Sequence, residues 1–185
     1  MFFVALGLGY PLGIWPLERC VFGVAPLAWG IAASLPMLAA FLGMNHSNWA
    51  PFARIQDDIA PFTRDYLSQC GVLSLALIAA LAGLGEEVLF RGLIQTALVG
   101  KVGVVLAVAI TSVAFGLCHA LSWPYAIFAT LIGVYFGVLF EFGGNLAIPI
   151  LAHGFYDFVA LVYLVRQPKP NRQPAPQNTE RDASH

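Results

Sequence analysis

Residues Gly71–Val99 read GVLSLALIAALAGLGEEVLFRGLIQTALV. The stretch is apolar over more than the roughly 20 residues that a helix needs to cross a bilayer core. Yet Glu86, Glu87 and Arg91 stand inside it. A charged side chain at that depth costs about 3 kcal/mol on insertion scales, so such groups are rarely kept without a use. This run predicts a membrane-spanning helix that carries part of a polar site.

Outward from it, further apolar runs cover about 1–17, 24–44, 103–121, 124–140 and 145–165. The fold expected is all-α, a polytopic transmembrane helical bundle of about six spans. Composition agrees. Of 185 residues, 59% are hydrophobic and only 10% charged, against about a quarter charged in soluble domains. The mean hydropathy is +0.77. At about 20 residues per span the length allows roughly six or seven helices, hence one bundle. A net charge of −1 with no basic stripe argues against a nucleic-acid partner.

The first run is short and holds Pro11 and Pro16, so it reads as a trimmed or re-entrant span, and the natural start can lie upstream. No secretory signal pattern is visible. The longest polar connection, 45–70, holds Arg54, Asp57, Asp58, Arg64 and Asp65. Its later part, Pro61 to Gln69, is expected to form a surface helix. Gly100-Lys101, Ser122-Trp123-Pro124 and Gly143-Gly144-Asn145 separate the later spans. Residues 1–70 thus form N-terminal spans and a loop, 71–165 a helical core, and 166–185 a Pro-, Asn- and Gln-rich tail of disordered composition. Cys20, Cys70 and Cys118 make no CxxC pair and no even disulfide set, and Cys118 is expected as a buried, inert thiol.

Basic residues set the orientation. With six spans, Arg54, Arg64, Arg166, Lys169, Arg172 and Arg181 share one side, and only Arg19 and Lys101 the other. Both termini are therefore expected in the cytoplasm. The place expected for the chain is a bacterial inner (plasma) membrane.

Three clusters carry chemistry. In the first, Glu87 and Arg91 are four apart on one helical face and can pair. Glu86 is turned away and stays available to a substrate or a water. The second is Phe115 with His119, near an interface marked by Trp123 and Tyr125. The third is His153 with Asp157, again four apart, where Asp157 can orient the imidazole or bind what it binds. If the helix beginning near Gly71 starts at the inner face, Glu86 lies roughly 20 Å deep. The depths permit one cavity open to the cytoplasm and closed from outside.

A glutamate held away from bulk water suits a general base. One imidazole can share its proton, and a second with its neighbour can donate to a developing oxyanion. That set suffices for amide hydrolysis. Glu86, His119 and His153 are equally of the residue types that hold a divalent metal such as zinc. Both chemistries fit the residue types.

EExxxR at Glu86–Arg91, FxxxH at Phe115–His119 and HxxxD at His153–Asp157, with Phe90-Arg91-Gly92 inside the first, resemble the CPBP family over about residues 70–165. These are the CAAX prenyl proteases and bacteriocin-processing (Abi) intramembrane endopeptidases. The resemblance implies a helical membrane bundle that cleaves membrane-associated, in some members prenylated, peptides. It implies that Glu86 activates water with help from His119, that His153 and position 157 stabilise the oxyanion, and that Glu87 and Arg91 support. Prenyl proteases often have Asn at that last position. An ionised Asp157 accepts but cannot donate. Hence Asp157 carries a proton, orients His153, or binds metal. No HExxH, GxGD or GxS motif points to another intramembrane protease class. The rival reading is a non-enzymatic membrane immunity or scaffold factor, or a carrier using the same residues as a proton or metal relay. Expected partners are membrane lipid and a membrane-associated peptide or protein.

Overall fold

The computed structural model describes residues 1–166. The predicted disordered tail, with Lys169, Arg172 and Arg181, lies outside the described residues. All regular structure among them is helical. α1 spans Phe2–Leu12, α2 Val24–His46, α3 Ala50–Phe62, α4 Val72–Glu87, α5 Thr96–Cys118, α6 Trp123–Gly143 and α7 Ala147–Arg166. Two π-helical segments extend α3 and α4: Thr63–Leu67 and Val88–Gln95.

Among the described residues, four helices are long and apolar enough to cross a membrane: Val24–His46, the 47-residue unit Val72–Cys118, Trp123–Gly143 and Ala147–Arg166. A straight 47-residue helix would measure about 70 Å, more than twice the roughly 30 Å hydrocarbon core. The chain turns at Gly103, where φ is 78° and ψ 167°. That region is open only to glycine. The unit is thereby two passes, and α5 packs back on the second π segment. The sequence suggested a break at Gly100-Lys101; it falls slightly later, at the residue that can take the turn. With α1 as a short sixth member of 11 residues, about 16 Å long, the bundle matches the expected architecture.

The connection 45–70 is more helical than its sequence suggested. α3 begins at Ala50 rather than near Pro61, because Pro51 sits in its first turn, where a missing N–H costs nothing. Pro61 then stands inside the helix, and the π segment follows two residues later. α3 is amphipathic: Ile55 is buried against Phe41, Met44 and Ala160, while Arg54 and Asp57 face outward.

α7 lies between α2 and α4, and α5 pairs with α6. Small residues allow these approaches. A Cβ on Gly83 would sit 2.8 Å from Gly154 N and 2.9 Å from Ile150 O; one on Gly30 would sit 2.6 Å from Leu151 Cβ. The close contact of α4 with α7 brings Glu87 to His153.

The ends of the bundle differ. By connectivity, α2, α5 and α7 finish at the end where α4 and α6 begin, and α3 crosses that end. At the opposite end the 13–23 segment forms a seal. Asn145 donates to Val21 O (2.8 Å) and accepts from Val21 N–H (3.0 Å), and Leu146 N–H donates to Arg19 O at 2.6 Å.

Candidate active site

Glu86 and Glu87 close α4, and the roughly 100° step between neighbours sends them to different jobs. Glu87 is fully buried. Its Oε1 accepts from Arg91 Nη1 at 3.0 Å and from His153 Nδ1 at 2.8 Å. Arg91, also fully buried, donates its other terminal nitrogen to Gly133 O of α6 at 2.8 Å. Its guanidinium carbon lies 4.7 Å from the Phe115 ring centroid and 5.5 Å from that of Phe136. Two charges are thereby neutralised in an aromatic box, as the four-residue spacing predicted. The bond from His153 to Glu87 was not legible in that spacing, since it joins helices 66 residues apart.

Glu86 faces a cavity of about 610 Å³. Its Oε2 is 3.4 Å from His119 Nε2, an ion-pair distance without hydrogen-bond alignment, and that oxygen has no hydrogen-bond partner among the described residues. The His119 Nδ1–H donates to Phe115 O at 2.8 Å, and the Phe115 ring stacks on the imidazole at 4.4 Å. With Nδ1 carrying that proton, Nε2 is the atom turned to Glu86.

His153, 6% exposed, has both nitrogens against carboxylates: Nδ1 on Glu87, and Nε2 3.3 Å from Asp157 Oδ2. Phe136 stacks on it at 4.8 Å, and Phe115 meets its edge at 6.2 Å. An ionised carboxylate only accepts, so Nδ1 bonds to Glu87 by carrying a proton, while Nε2 lies at ion-pair distance from Asp157.

Glu86, Phe115, His119, His153 and Asp157 thus line one cavity, together with Asp58, Phe62 and Thr63 from α3 and its π segment. Three stretches distant in sequence meet as their motifs required. α5 runs about 22 Å from its turn at Gly103 to Cys118, and His119, at its C-terminal cap, comes within reach of Glu86. Cys118 corrects another expectation: it is exposed and borders the cavity.

The expected metal set does not converge. Among the described residues, no group of three or more His, Cys, Asp or Glu side chains is arranged to hold a metal ion. Glu86 approaches His119, whereas both nitrogens of His153 are taken up elsewhere.

Sequence reasoning missed Phe136, one apolar residue in an apolar helix with no signal to mark it. It also missed Gln95. That one had a signal: Glu87, Arg91 and Gln95 repeat every four residues and form one buried stripe.

Fold and cluster together define a class: an integral membrane protein whose helices bring a glutamate and a histidine together on one cavity wall. The comparisons are consistent with it. Residues 68–159 match the family model described as type II CAAX prenyl endopeptidase Rce1-like, and over them the chain belongs to that family. It is also 27% identical over 129 residues to the uncharacterized protein YpbD of Bacillus subtilis (strain 168), a match covering 68% of this chain and 63%, less than two thirds, of that relative. No solved structure matches.

Proposed function

We propose that the chain is an intramembrane endopeptidase of the CAAX type that hydrolyses peptide bonds of membrane-associated substrates with a water activated by Glu86 and His119. The observation that carries this reading is the meeting of Glu86 and His119 at 3.4 Å on the wall of a cavity that also receives His153. Glu86 takes a proton from water as the oxygen attacks the scissile carbonyl carbon. The proton is shared with His119 Nε2 and then passes to the leaving nitrogen as the C–N bond breaks. The Nε2–H of His153 turns from Asp157 to the carbonyl oxygen as charge develops there. Asp157 holds that imidazole until substrate arrives, which gives an acidic residue a use where an amide donor was expected. No step runs through a metal ion, since the donors do not converge on one point.

The cavity lies at the end that α3 crosses. We place this end in the cytoplasm, from the Arg54 and Arg64 side, with the C-terminus there and the protein in a bacterial inner membrane. Membrane lipid and a membrane-held peptide are the partners implied.

The test is cleavage of a farnesylated peptide ending in a CAAX box by the purified full chain in lipid nanodiscs, with metal analysis and a chelator series alongside. Expected are cleavage that persists with 1,10-phenanthroline and no stoichiometric metal. Loss of activity on chelation, restored by zinc, would overturn the metal-free mechanism. Failure to cleave this peptide and a panel of membrane-anchored peptides would overturn the peptidase reading.

A further inference from the structure

We infer that Gln95 and Glu141 are positioning residues that set the orientation of the His153 imidazole from outside the cavity. The inference rests on the reading of His153 as the oxyanion donor. Gln95 is fully buried. Its Nε2 donates twice to α6, to Gly137 O at 3.1 Å and to Glu141 Oε1 at 2.8 Å. One turn earlier, Arg91 donates to Gly133 O. Two rungs four residues apart on the π segment therefore meet two carbonyls four residues apart on α6. The register is held by shape as well, because a Cβ on Gly137 would lie 2.8 Å from Gln95 Oε1.

What this register fixes lies at the site. Phe136, whose ring stacks on His153, precedes the carbonyl-bearing Gly137. Arg91, the other rung, holds the Glu87 oxygen that accepts from His153 Nδ1. A slip of the π segment against α6 moves both surfaces that orient the imidazole.

Glu141 adds a second route. Its other oxygen is 3.7 Å from Arg19 Nη1, and the Arg19 guanidinium packs over Phe140 at 4.3 Å. Arg19 O accepts from Leu146 N–H beside the first turn of α7. α7 is the helix that carries His153 two turns on. Glu141 thus ties the π segment to the start of α7, and neither it nor Gln95 lines the cavity.

The experiment uses the full chain in nanodiscs with [15N]histidine, comparing wild type with Gln95→Leu, Glu141→Leu and Glu141→Gln. The glutamine variant keeps an acceptor for Gln95. Both leucine variants are expected to shift the imidazole 15N resonances of His153 and to leave those of the distant His46 in place. With the farnesylated peptide, their kcat falls about tenfold at KM within about twofold, the scale of one hydrogen bond to a charged group. Glu141→Gln stays near wild type in both readouts. Unmoved His153 resonances in both leucine variants would overturn the inference, as would equal shifts at His46, which mean general loosening. If the wild type cleaves no peptide, the peptidase reading falls, and the His153 resonances still decide whether Gln95 and Glu141 position that ring.

Discussion

Glu86→Gln is expected to lower kcat on a cleaved peptide roughly 10³-fold, within the range that positioned general bases contribute. The substitution keeps volume and polarity. It removes the only feature the mechanism requires, an oxygen basic enough to take a proton from water. The folded state has little reason to suffer, since Oε2 makes no hydrogen bond among the described residues and the side chain borders a cavity rather than packed core. Activity should therefore collapse while yield and thermal stability stay near wild type. Full activity in Glu86→Gln would reject the mechanism. Full biological function in cells, with cleavage lost, would instead favour the scaffold or immunity reading.

The opposite pattern is expected one residue later. Glu87→Leu leaves the Arg91 guanidinium buried without its counter-charge, and Arg91→Leu does the same to Glu87. Breaking a fully buried pair costs about 3–5 kcal/mol, whereas replacing both members by apolar groups is often far milder. Each single variant should therefore be strongly destabilised, measured as folded protein surviving heating in nanodiscs. The double variant Glu87→Leu/Arg91→Leu should lose less than the sum of the two. Its recovery will be incomplete, because Gly133 O loses its donor and His153 Nδ1 its acceptor. Additive losses would show that the two charges do not compensate one another.

The contrast between these neighbours was legible in the sequence. Two adjacent carboxylates followed by Arg91 four residues after Glu87 leave one paired and one available, and the helix places them so. Local spacing failed where packing decides. Nothing in a one-dimensional pattern brings His153 to Glu87, because that contact depends on Gly83 letting α4 and α7 approach. The surface helix read as Pro61 to Gln69 starts earlier, at Ala50, with Pro51 in its first turn. The winding of Val88–Gln95 had no signature, although its product, the buried stripe ending at Gln95, follows a plain four-residue repeat.

The cavity draws its walls from unequal sources. Glu86, His119, His153 and Asp157 fall within the shared 68–159 segment. Residues before it, among them Asp58, Phe62 and Thr63, and residues after it, among them Leu161 and Leu164, supply a smaller share of the lining. The polar cluster lies wholly inside the shared stretch, whereas the wall around it is drawn from both inside and outside that stretch. On the proposed peptidase reading, part of the contour that a guest molecule meets can therefore be redrafted in the flanks without touching the polar cluster.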